Sequence, residues 1–184
     1  AMVIAGGVPQ MELLRQLKER KIETVLLDGN ENCLARAIPD KFYKVNIFNI
    51  EDVKKIAVDE KVDFIITVCA DQVLLVVAEV SEMLGLPCYI GYKQAQDVSD
   101  KIRMKKIFKE NKIPTTKYLE LESLDMNEIA KLNYPLVVKP VDAYSSKGVR
   151  KAETEKELIA YYNEAKKISR SGGVIVEEFF EGEE

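Results

Sequence analysis

The strongest constraint on this chain is the regular exchange of short apolar runs and amphipathic stretches over its first ninety residues. Val3–Ala5 is an apolar run stopped by Gly6-Gly7, and Pro9 then opens a helix with Met11, Leu14 and Leu17 on one face. Thr24–Leu27 reads as a second strand that ends at the turn signal Asp28-Gly29-Asn30, and Phe42–Val45 as a short third. Asn49 is placed to cap a helix carrying Val53, Ile56 and Ala57, with Asp52 in its first turn. Phe64–Val68 is continuous enough for a buried strand, Gln72–Leu84 is the following helix, and Leu86–Ile90 reads as a closing strand. Strand–helix exchange with buried runs predicts an α/β fold: a parallel sheet with helices on both faces.

After Gly91 the rhythm changes. Asp100 is a helix cap for 101–111, with Ile102, Ile107 and Phe108 expected inward, and Ile113-Pro114 ends that helix. Strands are expected at Lys117–Leu121, Leu136–Lys139, Gly148–Lys151 and Val174–Val176, with a helix near Met126–Leu132. Thr154 and Glu157 form a capping box for a helix that places Leu158, Tyr161, Tyr162, Ala165 and Ile168 at core spacing. Gly172-Gly173 stops it, and this second part reads as a small α+β unit.

Composition removes several functions. The 184 residues suffice for one ordinary domain or two small ones, and 47% apolar with 32% charged residues fits a folded globular chain. A net charge of −4 gives no support to a nucleic-acid or anionic-membrane surface. With no histidine, Ser-His-Asp and Cys-His chemistry within the chain is excluded, as is the commonest zinc ligand. Cys33, Cys69 and Cys88 form no disulfide framework or CxxC pair, which suits a reducing cytoplasm; Cys69 and Cys88 read as small buried hydrophobes. The stretch 62–80 is interrupted by Asp63, Asp71, Gln72 and Glu79 and does not read as a membrane span. The opening AMVIAGGV has no basic region of a signal peptide; it reads as a first strand with almost no lead, which suggests a trimmed start.

Two places carry candidate chemistry. Gly6-Gly7 between a first strand and helix, with Asp28 at the end of the second strand, invites an NAD(P)-binding reading. The fingerprint is incomplete: Val8-Pro9-Gln10-Met11 follows, and Pro9 removes an N–H that would face a pyrophosphate. The other is Lys139, at the end of an apolar strand and followed by Asp142-Ala143-Tyr144-Ser145-Ser146-Lys147-Gly148. Such a lysine is ordinarily a snorkelling surface residue, but beside a Ser/Gly loop it can hold a polyphosphate through charge, hydroxyls and backbone N–H groups. The tail V-I-V-E-E-F-F-E-G-E-E is either a solvated acidic end or a strand that reads a base edge; spacing leaves both open.

The ordered set D-K-I-R-M-K-K-I-F-K-E-N-K-I-P-T-T, Y-P-L-V-V-K-P, D-A-Y-S-S-K-G-V and V-I-V-E-E-F-F-E-G-E-E resembles the ATP-grasp family of ATP-dependent ligases. The resemblance covers essentially the whole chain. It implies a Rossmann-like preceding domain over 1–92, a linker helix over 93–112, and an incomplete first ATP-grasp lobe over 113–184. It makes Lys101 and Lys139 nucleotide contacts, with Lys139 nearest the phosphates, and Ser145, Ser146, Lys147 and Gly148 a lid over them. Glu177 would meet the adenine amino group, the backbones of Glu178 and Phe180 the adenine edge, and Glu184 the ribose. The implied chemistry is activation of a carboxylate by the γ-phosphoryl group of ATP, followed by attack of an amine, with magnesium ligands expected beyond Glu184. The chain alone is therefore expected to be inactive. The serine-containing loop resembles amino-acid and dipeptide ligases more than carbamoyl-phosphate synthases or biotin carboxylases, which have glycine-richer loops. Expected partners are ATP and a small carboxylate and amine, without nucleic acid or membrane and with a homodimer left open. Asp142, Tyr144 and Tyr92 read either as solvated loop residues, the commoner case, or as substrate contacts. Two rivals remain at this stage: an NAD(P)-binding oxidoreductase domain using Gly6, Gly7 and Asp28, and a non-catalytic module pairing through the sheet edge after Phe180.

Overall fold

The computed structural model describes residues 1–143, 146–169 and 171–182, the side chain of Gln72 excepted. The chain divides into two compact units, Ala1–Ser99 and Asp100–Glu184.

In the first unit β1 (Met2–Ile4), α1 (Val8–Glu19), β2 (Val25–Asp28), β3 (Lys41–Lys44), α2 (Ile50–Asp59), β4 (Ile65–Ile66), α3 (Asp71–Leu84) and α4 (Tyr92–Ser99) follow one another. The four strands form one parallel sheet in the order β3-β2-β1-β4. Because successive side chains alternate across a strand, each strand feeds two cores. Met2, Ile4, Val25 and Leu27 pack with Val53 and Ala57 of α2 and Val73, Val76, Val77 and Val80 of α3. Val3 and Leu26 pack on the other face with Leu14 and Leu17 of α1. Asn49 caps α2 as its sequence position suggests, accepting from the amides of Glu51 and Asp52.

Two expectations fail here. The strand at Phe64–Val68 contracts to Ile65–Ile66, and Leu86–Ile90 forms no strand. Beyond Ile66 the ladder gives way to a side-chain bond, Thr67 Oγ1 donating to the Ile4 carbonyl at 2.8 Å. After α3 the Leu86 amide turns back to the Ser81 carbonyl at 2.8 Å, and Pro87 has no N–H to offer a ladder. Tyr89 is exposed and only its hydroxyl reaches back, to the Thr67 carbonyl at 3.2 Å. Cys69 is exposed, in a left-handed turn at φ 50°, and Cys88 is half-buried. Neither is the fully buried hydrophobe that its apolar neighbours suggested.

Asp40 ties the entry to this sheet. Its carboxylate accepts from Lys18 Nζ at 2.6 Å, from the Thr24 amide at 2.8 Å and from Thr24 Oγ1 at 2.9 Å. The Lys18 bond first, then those from Thr24, hold its carboxyl at about 2 against an ordinary 3.8. A pKa depressed by folding contributes stability above the unfolded value and loses it as pH falls through the folded one. The stability difference between the protein and Asp40→Asn, measured by urea denaturation, should therefore shrink as pH drops from 3.8 towards 2. The pair is exposed enough that added salt should reduce the effect.

The second unit comprises α5 (Lys101–Glu110), β5 (Tyr118–Leu121), α6 (Met126–Ile129), β6 (Leu136–Pro140), β7 (Arg150–Ala152), α7 (Glu155–Ile168) and β8 (Val174–Glu178). Its sheet is antiparallel in the order β5-β8-β6-β7. Residues 93–112 hold two helices rather than one, separated at Asp100, whose carboxylate caps α5 through the amides of Ile102 and Arg103. Leu158, Tyr162 and Ala165 of α7 pack with Leu136, Val138, Val174 and Val176 on one sheet face. Thr154 caps α7 as expected, while Glu157 returns to the amide of Glu153, one residue upstream of a standard capping box. The fold class that emerges is mixed α/β, one parallel and one antiparallel sheet.

Gly148 fixes the turn into β7. It is buried at φ 74°, and a Cβ there would stand 2.8 Å from Ile168 Cδ1 and 3.1 Å from Pro140 Cγ. Gly148→Ala combines a disfavoured backbone region with overpacking, and should cost more than about 1 kcal/mol in equilibrium unfolding.

Candidate functional site

The antiparallel sheet has a second face, and strand parity decides what lies on it. Leu136, Val138, Val174 and Val176 point to the α7 core, so Val137, Lys139, Ile175 and Glu177 point the other way. A lysine at the end of a buried strand is thereby explained: Lys139 belongs to the face opposite the core. Glu177 is paired in register with Val137 on one side and Tyr118 on the other. Lys139 Nζ donates to Glu177 Oε1, with both side chains mostly buried.

Lys105 completes the cluster. It is the buried residue of α5, 6% exposed, whereas Ile102, Ile107 and Phe108, expected inward, are only half-buried. Its Nζ donates to Thr115 Oγ1 at 2.6 Å and Thr116 Oγ1 at 3.2 Å, and stands 2.9 Å from Glu177 Oε2 as an ion pair. The Tyr118 ring lies 5.2 Å from the same ammonium. Burial pushes the Glu177 carboxyl up, but the Lys139 hydrogen bond and the charges of Lys139 and Lys105 outweigh it, so the net shift is downward. Oε2 is buried and, despite the nearby charge of Lys105, accepts no well-directed hydrogen bond among the described residues. The site thus holds an ionised carboxylate between two cations. Lys105 is missed by sequence reasoning, in which it reads as one more lysine of a basic helix.

The other anticipated residues fall in several places. Lys101 Nζ donates to the carbonyls of Ala143 at 2.6 Å and Val141 at 3.3 Å, at the root of the serine-containing loop. Ser146 and Lys147 are exposed, and Gly148 is packed inside. The Glu178 side chain is on the opposite face, taken by the Asn133 amide at 3.0 Å and its Nδ2 at 2.8 Å. The Glu178 backbone amide donates to the Lys117 carbonyl. Phe180 is 77% exposed just beyond β8. Asp142 accepts from Ser169 Oγ and the Ser171 amide, so it anchors the end of α7. Ser145, Tyr144 and Glu184 lie outside the described residues. Among the described residues no three His, Cys, Asp or Glu side chains converge to hold a metal.

The glycine pair of the first unit does not support a dinucleotide. Asp28 Oδ2 accepts from the Gly6 amide at 2.7 Å and Oδ1 from the Asn30 amide at 2.6 Å, so the carboxylate is spent on its own turn. A Cβ on Gly6 would meet Cys33 Sγ at 2.5 Å, so the space a pyrophosphate would need against this backbone is already filled by a side chain. Gly6 is needed for this close contact within the chain.

Among the described residues no helix is long and apolar enough to cross a membrane. Residues 107–184 match the family described as D-ala D-ala ligase C-terminus. A carbamoyl-phosphate synthase of Methanobrevibacter smithii is 26% identical over 174 residues, which is 91% of this chain and 46% of that protein. The crystal structure of D-alanine–D-alanine ligase from Bacillus anthracis superposes with a TM-score of 0.73 at 26% identity, over 98% of this chain and 57% of that one. N5-carboxyaminoimidazole synthetase from Staphylococcus aureus, solved with ADP, gives 0.79 at 19% identity over 99% and 48%, a likeness of fold. The chain spans about half the length of these relatives. Motif order, the family match over residues 107–184 and the shared fold together make this chain similar to ATP-grasp ligases.

Proposed function

We propose that this chain contributes part of the ATP site of a ligase that activates a carboxylate as an acyl phosphate for attack by an amine. The observation that carries the reading is Glu177: a mostly buried, ionised carboxylate on the sheet face away from the core, with one cation beside each oxygen. A group of this kind fits the exocyclic amino donor of adenine. Lys139 retains ammonium donors for phosphate oxygens, and Lys101, held at the root of the loop containing Ser146 and Lys147, is placed to follow that loop onto them. The backbone beyond Glu178, reaching Phe180, would read the adenine edge. Support comes from the Staphylococcus aureus enzyme with the same fold, which was solved with ADP.

The first unit fits the role of a Rossmann-like domain that precedes the grasp domain and takes the acceptor substrate. Magnesium would accompany the nucleotide and neutralise its phosphates.

The test is a thermal-shift and calorimetric titration with ATP, ADP and NAD, with and without magnesium. ATP and ADP should stabilise the protein, by about 2.7 kcal/mol once ligand reaches a hundred times its dissociation constant. NAD should not, and Lys139→Ala should abolish the adenine-nucleotide response while leaving the chain folded. Stabilisation by NAD that disappears in Asp28→Ala, with none by ATP or ADP, would overturn the reading.

A further inference from the structure

Lys105 has no role in the contacts that the motif order assigned, yet it is the most deeply buried cation described in this chain. Resting on the proposed ATP site, we propose that Lys105 is a positioning residue that holds the Glu177 carboxylate charged and in place for the base when Lys139 is drawn to phosphate, so that the site prefers an amino-bearing purine over a keto-bearing one.

Without ligand, Glu177 has one cation on each oxygen, Lys139 on Oε1 and Lys105 on Oε2. A triphosphate entering this face competes for Lys139. With Lys139 as its sole partner, the carboxylate would then be buried beside a polyanion, and both burial and like charge favour its protonation. A protonated carboxyl can donate to a keto oxygen, and discrimination between adenine and guanine would weaken.

Lys105 prevents this because it cannot follow the phosphate. Lys139 stands on β6, but Lys105 comes from α5, and its ammonium is tied to Thr115 Oγ1 and Thr116 Oγ1 as well as to Glu177. Two hydroxyl bonds and the charge of the Glu177 carboxylate beside it hold the Lys105 ammonium in place. The remaining groups on this side of the sheet do not substitute for it. Tyr118 faces Glu177 across β5 and lies against the Lys105 ammonium. Glu120, next on that face, adds negative charge opposite Ile175. Lys151, across β6 on β7, is engaged with Glu153 and the Phe179 ring.

The experiment has two arms on this chain. In the first, 13C NMR of the glutamate carboxyls, assigned with Glu177→Gln, follows Glu177 without nucleotide. It should titrate below the ordinary value of 4.5 in the wild type and move upward in Lys105→Met, with Lys105→Arg restoring the low value. In the second, ATP and GTP binding are measured from pH 5.5 to 8. Wild type should show a constant preference for ATP. In Lys105→Met, ATP affinity should fall about tenfold per pH unit below the raised pKa, while the ATP-to-GTP ratio collapses over the same range. Lys105→Arg should keep the wild-type profile.

A wild-type Glu177 that titrates at or above the ordinary glutamate value overturns the proposal, and that result needs no variant to fold. So does a folded Lys105→Met with an unchanged ATP-to-GTP ratio at every pH. If the wild type binds no nucleotide, the proposed function fails and base selection by Lys105 falls with it, while the NMR arm reports separately whether Lys105 holds Glu177 ionised.

Discussion

A carboxylate buried between two ammonium groups is the interaction around which the candidate site of the second unit is arranged. Removing an ion from water costs several kcal/mol, and mutual attraction repays that only where geometry is good and the remaining lone pairs are served. Glu177 meets the requirement by drawing partners from separate elements: Lys139 from the neighbouring strand and Lys105 from a helix more than seventy residues away in sequence. The helix, the extended segment with Thr115 and Thr116, and two strands are thus committed to one point of charge. Such a cluster is a poor device for stability, since an apolar replacement often does as well. Its value is a preset electrostatic environment on a rigid strand, which suits recognition.

The two sheets treat their faces differently, and this separates scaffold from site. The parallel sheet is covered on both faces, with β1 and β2 alternating between the α2–α3 core and the α1 core. Its polar groups are confined to strand ends, where Asp28 and Asp40 serve turns and strand entry. The antiparallel sheet buries one face beneath α7 and places charge on the other. The same alternation that hides Val138 and Val176 presents Lys139 and Glu177. A one-residue change of register would bury both charges in the core, so pairing and site are fixed by one constraint.

The glycines divide along similar lines. Gly6 looked like part of a phosphate-binding turn, but its lack of a Cβ is used by Cys33, and its amide by Asp28. Gly148 looked like part of a flexible lid, but it is packed between Pro140 and Ile168. In both cases a pattern that suggested ligand contact turned out to serve close packing within the chain.

Most elements were legible in the sequence because their signals are local. Asn49, Asp100 and Thr154 announced helix starts, and each accepts amide hydrogen bonds there. Apolar periodicity located most of the strands, and motif order pointed to Lys139 and Glu177, which the structure brings into contact. What the sequence could not determine was how far each strand pairs and which charges meet. Leu86–Ile90 has strand-like composition, but ladder formation needs a partner with free N–H groups at the right height, and Pro87 with a backward-turned Leu86 supplies none. Lys105 reads as one more lysine in the basic stretch 101–112, and only the folding of Thr115, Thr116 and Glu177 around it makes it the buried charge. Periodicity is a property of neighbours in sequence, whereas the environment of a charge is set by groups brought together across the whole unit. That is why local signals determined the elements here, and tertiary structure alone decided the electrostatics of the site.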